Sequence, residues 1–245
     1  MPSRSGTLGV VVARRKSKRL PDKVLRPLLG APLVAWCIRA ALASSLERVI
    51  ISTEDAEIAE TAKRYGAEVL FLRPAALAED FAEDQDIVLH ALDAADRHAG
   101  RTHHTVVLLQ ATTPFVTAAD IDRCLDRLHG GDAGCVFTVR KVSEPPDWMF
   151  TVTEDMRAEP FRAGPLEKER QHAQKLPRYF LPNGAAYAMR AEALREQKRV
   201  YCEPLSCVEM AAARSVDIDE ELDLVVAEAV GRHFGFALTP RASLV

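Results

Sequence analysis

Short β-type runs and amphipathic helical patterns take turns along the first 139 residues, and few folds accept that alternation. The strand candidates are Leu8–Ala13, Arg48–Ser52, Glu68–Phe71, Thr105–Gln110 and Gly134–Val139. Helical patterns lie between them, at Pro32–Ser44, Ala56–Tyr65, Asp84–Arg97 and Ala118–Leu128. In the third, Ile87, Val88, Ala91, Leu92 and Ala95 share one face. Gly66 stands where the second helix needs a left-handed cap. Strands separated by helices of this length build βαβ units. The expected fold class is therefore α/β, a mostly parallel sheet flanked by helices, with ligands bound at the carboxyl ends of its strands.

The pattern breaks after Val139. Residues 140 to 182 carry Pro145, Pro146, Pro160, Pro165, Pro177 and Pro182 among mixed charges. Short β-type runs, Trp148–Val152 and Ala185–Met189, lie in and just beyond this stretch. The aromatics Trp148, Phe150, Phe161, Tyr179, Phe180 and Tyr187 argue against a disordered linker. The expected organisation is an α/β core from 1–139 and 206–245, with 140–205 as a β-rich arm or lid that meets a second subunit. Regularity returns with Arg214–Asp217 as a strand and Glu220–Phe234 as a closing helix.

At 245 residues the chain can bury a full core as one domain, with room for a smaller appendage. Its net charge is -3 and its basic residues form no stripe, which argues against a nucleic-acid partner. No apolar run approaches the roughly 20 residues of a membrane span, and the first one, about six residues long, is too short for a signal-peptide core. The five cysteines are odd in number and form no CxxC or Cys/His cluster, so neither a disulfide framework nor a zinc site is expected. A reducing cytoplasm is the expected location.

The first strand ends in six cations: Arg14, Arg15, Lys16, Lys18, Arg19 and Lys23, set around Ser17 and Pro21. A buried strand that delivers a basic loop to the carboxyl edge of a sheet suits a polyphosphate. Nothing here matches GxxxxGK[ST] or GxGxxG, so side-chain charge replaces a glycine-amide cradle. The bland alternative is a solvated patch or a nucleic-acid contact. A single cationic loop fits a small anion better.

Four further groups matter besides the basic loop. Ser52 or Thr53 is either the cap of the next helix or a nucleotide contact. Gln110, closing Leu108-Leu109-Gln110-Ala111-Thr112-Thr113-Pro114, offers a donor and an acceptor to a polyhydroxylated substrate. Asp217 and Asp219 point to one side of an extended segment, a plausible magnesium pair, although Asp219 also suits an N-cap. Asn183-Gly184 is a turn signal, and local chemistry gives it a structural role alone.

Taken in order, these segments resemble the N-acylneuraminate cytidylyltransferases (CMP-sialic acid synthetases). Ala13, Arg14, Ser17, Lys18, Leu20, Pro21 and Lys23 match the family's opening pattern ARxxSKxLPxKN. STEDAEIAE, RPAALAED, LLQATTP, LPRYFLPNGAAY and DIDEELDL follow in family order, so the resemblance runs from Leu8 to about Val230. It implies a Rossmann-like sheet, a small β-rich dimerisation arm, a homodimer and a magnesium-dependent reaction, with manganese as a substitute. In that reaction the anomeric hydroxyl of a 2-keto-3-deoxy sugar acid, sialic acid or a related nonulosonic acid, attacks the α-phosphorus of CTP and gives a CMP-sugar and pyrophosphate. It also implies that Arg14, Lys18 and Lys23 hold the triphosphate, with Ala13, Arg15, Ser17 and Arg73 about the nucleotide. Gln110, Asn183 and Tyr187 would face the sugar acid, and Asp217 and Asp219 would hold the metal.

The chain also departs from the family pattern. Val24 stands where an asparagine is usual, and Ala111, Thr113, Phe115 and Val116 replace residues of LQPTSPLR. Ala173 occupies the place of an arginine that meets the substrate's carboxylate, with Arg170, Lys175 and Arg178 as nearby substitutes. The alternatives are a nucleotidyltransferase of the same fold acting on an octulosonic acid or a sugar phosphate, and a catalytically silent CTP-binding relative.

Overall fold

A computed structural model of the chain describes residues 5–79, 81–161 and 176–239. In chain order its strands are β1 (Thr7–Val12), β2 (Pro27–Leu28), β3 (Ala31–Pro32), β4 (Arg48–Ser52), β5 (Thr105–Gln110), β6 (Cys135–Lys141), β7 (Phe150–Val152), β8 (Ala158–Pro160), β9 (Phe180–Arg190) and β10 (Leu205–Glu209). The helices are α1 (Leu33–Ala43), α2 (Ala56–Arg64), α3 (Asp84–Ala99), α4 (Ala118–His129), α5 (Ala191–Gln197) and α6 (Glu221–Phe234).

Six strands form the central sheet, in the order β10-β6-β9-β5-β1-β4. All are parallel except β9, which runs against both β5 and β6. Successive side chains on a strand face opposite ways. Val11, Val107 and Leu109 therefore pack with α1, α2 and α4 through Ile38, Ile58 and Ile121. Leu8, Val10, Val106 and Leu108 pack with α3 and α5 through Val88, Leu92 and Leu194. Burial on both faces is why β1 and β5 read as unbroken apolar runs. Truncating one such residue, as in Leu108→Ala, costs about 2–5 kcal/mol.

A third, smaller cluster joins α6 to the front of the sheet. Ile218 and Leu224 pack there with Leu28, Leu33, Trp36 and Phe115. Trp36 and Phe115 meet edge to face at 5.5 Å. Ile218 is turned inward, so its acidic neighbours are turned out.

The chain passes from β1 to β4 on one side and then crosses to β5 on the other. β1 and β5 stay paired up to Val12 and Gln110, and the segments that leave their carboxyl ends border a crevice at that switch point. Gly66 takes φ +103° and closes α2, as its position after the helix requires.

Three of the local readings differ from the structure. Of Glu68–Phe71, Glu68 alone pairs, in one bridge to Ile50, before the chain turns away to bring the Arg73 N–H to Thr53 O at 2.7 Å. Arg214–Asp217 forms no strand, because a 3-10 turn spans Ala212–Arg214 and extended chain follows. Residues 180–190, within the 140–205 stretch expected to leave the core, are a strand of the main sheet, and α5 follows them directly. What stands apart among the described residues is the β7–β8 hairpin, a two-stranded sheet of its own.

Candidate active site

The crevice at the switch point has a volume of about 360 Å³. Its walls come from the β1 end and basic loop (Ala13, Arg14, Ser17, Lys23), from Arg73, from Asp84 at the start of α3, from the β5 end (Gln110, Thr112), and from Asp217 and Asp219. Eight of the residues singled out in the sequence thus share one cleft: Ala13, Arg14, Ser17, Lys23, Arg73, Gln110, Asp217 and Asp219.

The basic loop reaches the far end of the chain. Lys23 Nζ lies 3.0 Å from Asp219 Oδ1, and an Arg19 guanidinium nitrogen lies 2.6 Å from Asp219 Oδ2. Burial opposes the charge on Asp219, but these cations outweigh it and hold the carboxyl below its ordinary range. Helix capping makes no claim on this side chain. Glu220 is the N-cap of α6, and Asp223 accepts from the Asp219 and Glu220 N–H groups at 2.9 Å. Asp217 behaves in the opposite way. Asp217 is exposed as a residue, yet desolvation of its carboxyl at the cleft wall, and then the charge of Asp219, push that carboxyl up, although the Thr112 hydroxyl hydrogen-bonds to it. Two adjacent carboxylates, one destabilised by its setting, fit a hard divalent cation that completes its shell with water and phosphate oxygens. Among the described residues no cluster of three or more His, Cys, Asp or Glu forms a ready-made cage.

Arg73 is buried and held from behind. One guanidinium nitrogen donates to Glu54 Oε2 at 2.8 Å and to Ala13 O at 3.2 Å, while Nε has no partner. Burial lowers its pKa, and Glu54 opposes that shift. Gln110 Nε2 donates to Asp84 Oδ2 at 3.4 Å, so its amide oxygen faces Gly184. Gly184 takes φ +76°, and a Cβ there would lie 2.7 Å from Gln110 Oε1. Burial raises the Asp84 carboxyl, and the hydrogen bond from Gln110 acts against that rise.

Four candidates lie elsewhere. Arg15 faces outward and binds Glu57 at 2.6 Å and Asp22 at 2.8 Å, so its charge is already matched. Lys18 is exposed on the basic loop and does not line the cleft. Tyr187 stacks on Phe137 at 6.2 Å and meets Tyr201 edge on, within the layer that packs on α3. Asn183 is buried behind the cleft with its amide fully hydrogen-bonded. Each follows from tertiary packing that a residue's type does not reveal. Ser52 and Thr53 do not cap α2 with their side chains; Asp55 does, accepting from Ile58 N at 2.9 Å. Val24 is buried in the main core. Arg178 pairs with Glu209 at 3.3 Å and covers the Phe180 ring, while Ala173, Arg170 and Lys175 lie outside the described residues.

The sequence reading gave no site role to Asp84, and it placed Arg19, Glu54 and Thr112 in the right segments without assigning any of them a role of its own. Asp84 and Thr112 sit at the start of a helix and just past a strand end on the binding edge, and that position was the available signal.

Known proteins share this arrangement of the chain. A cytidylyltransferase family model matches residues 8–228. A CMP-N,N'-diacetyllegionaminic acid synthase of Legionella pneumophila is 33% identical over 226 residues, which cover 90% of this chain and 94% of that protein. A pseudaminic acid cytidylyltransferase of Campylobacter jejuni is 28% identical, covering 90% of this chain and 94% of its own length. Among solved structures, a CMP:2-keto-3-deoxy-manno-octonic acid synthetase in complex with CTP superposes with a TM-score of 0.69 at 18% identity, covering 94% of this chain and all of that one, a likeness of fold.

Proposed function

The chain belongs to the cytidylyltransferase family, a family of nucleotidyltransferases, and from that premise we propose that it couples CTP to a 2-keto-3-deoxy sugar acid of the nonulosonic class, giving a CMP-sugar and pyrophosphate. The observation that carries this reading is the convergence of Arg14, Lys23 and Arg73 with Asp217 and Asp219 in one cleft. The two relatives named for legionaminic and pseudaminic acids support the acceptor class.

In this reading Arg14 and Lys23 lie along the triphosphate and neutralise the charge that builds on the departing pyrophosphate. Such transfers depend chiefly on positioning and charge neutralisation. Arg73, fixed by Glu54, stands over the nucleotide. Gln110 orients the acceptor with an amide whose two ends are set by Asp84 and Gly184. Asp217 and Asp219 hold a magnesium ion, which when bound supplies Lewis-acid stabilisation of the reacting phosphate oxygens.

The β7–β8 hairpin is read as a dimerisation arm. Phe150 is 50%, Phe161 61% and Met156 79% exposed, and a lone two-stranded hairpin is marginal in water. A second copy of this chain would cover that surface. Five free thiols suit a reducing cytoplasm, and no described helix is long and apolar enough to cross a membrane.

Pyrophosphate release is the test. Purified protein is given each of the four NTPs, magnesium and a panel of nonulosonic and octulosonic acids. Release is expected with CTP and a nonulosonic acid. No release with any pairing removes the proposal, and release only with a sugar phosphate moves the chain to another branch of the fold.

A further inference from the structure

Asn183 is 5% exposed and stands outside the cleft, yet every hydrogen-bonding capacity of its side chain is used. Oδ1 accepts from Thr138 Oγ1 at 2.6 Å and from Ala185 N at 3.2 Å. Nδ2 donates to Ser215 Oγ at 2.9 Å and meets Met210 Sδ at 3.3 Å. A backbone N–H can only donate, so the atom facing Ala185 N is the oxygen, and the amide is fixed with its donor towards Ser215.

Ser215 lies two residues before Asp217, in a stretch outside any helix or strand. Two pins hold the acidic segment against the sheet. One is the Asn183–Ser215 bond. The other is Ile218 N donating to Thr112 O at 2.9 Å. The strand end that supplies the second pin is itself tied to Asn183, whose carbonyl accepts from Thr113 Oγ1 at 3.1 Å. Both pins therefore trace back to one residue. Ser215 Oγ also donates to Ala211 O at 3.0 Å, so its hydroxyl is held at both ends.

We infer that Asn183 is a positioning residue for the Asp217–Asp219 carboxylate pair, acting through Ser215, and so sets the affinity of the cleft for a divalent cation. This rests on the reading of that pair as the metal site. Groups that orient a ligating side chain typically govern metal affinity by 10–100-fold.

The probe is Mn²⁺, measured by electron paramagnetic resonance in the presence of CTP without an acceptor. Ser215→Ala removes the acceptor with little change of volume, and Asn183→Asp removes the donor. Each is expected to weaken Mn²⁺ binding by about 10–100-fold. The double variant is expected to be no weaker than the worse single one, since both break the same link. CTP binding without metal, by calorimetry, is expected to hold within about twofold. Wild-type Mn²⁺ affinity in Ser215→Ala overturns the inference. So does an equal loss of metal-free CTP binding, the mark of general damage. Should Asn183→Asp fail to fold, Ser215→Ala alone decides. Failure of the wild-type protein to bind Mn²⁺ with CTP is a different result and removes the metal reading itself.

Discussion

Lys23 and Asp219 meet at 3.0 Å across 196 residues of sequence. The contact fastens the loop after the first strand to the segment before the last helix, and in the proposed reading these two residues serve the triphosphate and the metal. Asp219→Ala is expected to abolish turnover while circular dichroism stays native. Lys23→Ala is expected to lower the rate by about 10²–10³, the usual effect of losing one preorganised charge. Full activity in Asp219→Ala would refute the metal assignment.

Asp217 should show a trade of stability for function. Its folded pKa is raised by desolvation of the carboxyl at the cleft wall and by Asp219, so its charged form is less favourable in the folded protein than in the unfolded chain. Such a group stabilises the fold below its unfolded pKa, and that contribution is lost as pH rises through the folded value. Asp217→Asn is therefore expected to raise Tm at pH 7 and to abolish turnover. The Tm advantage should vanish below about pH 4, near the unfolded value of an aspartate. A lower Tm at neutral pH would contradict the electrostatic reading.

Gly184 is expected to matter to the acceptor and not to the nucleotide. An alanine at φ +76° costs roughly 1–2 kcal/mol of backbone strain, and its Cβ displaces the Gln110 amide from Asp84. Urea denaturation should show a loss of that size for Gly184→Ala. Steady-state kinetics should show a raised KM for the sugar acid with the KM for CTP unchanged. An equal rise for both substrates would argue that Gln110 does not meet the acceptor.

The arm makes a prediction about assembly. Trp148→Glu with Phe150→Glu places two charges on its exposed apolar surface. Analytical ultracentrifugation should find the wild-type protein dimeric and this variant monomeric. Dimers of the variant would put the subunit contact elsewhere.

The alternation of strands and helices was legible because each central element states its own burial. Both faces of β1 and β5 are covered, so their residues read as apolar runs, and α3 shows its buried face as a period of 3.6. β10 was missed because it lies at the sheet edge with Leu205, Cys207 and Glu209 exposed, which leaves no apolar run to read. β9 was cut short because it starts at an irregular stretch that includes Pro182 and Gly184 and then relies on alanines between two strands.

The sequence by itself determined the layered sheet, the position of the basic loop on its carboxyl edge, and the identity of the residues able to neutralise phosphate. Tertiary structure alone decided which of them work together. Arg15 and Arg14 are neighbours of the same type, yet one is matched by outer carboxylates and the other lines the cleft. Asn183 and Gln110 carry the same amide, yet one is locked inside and the other faces the ligand space. Composition and spacing fix what a side chain can do. Direction and partners are set by distant segments that meet it only when the chain has folded.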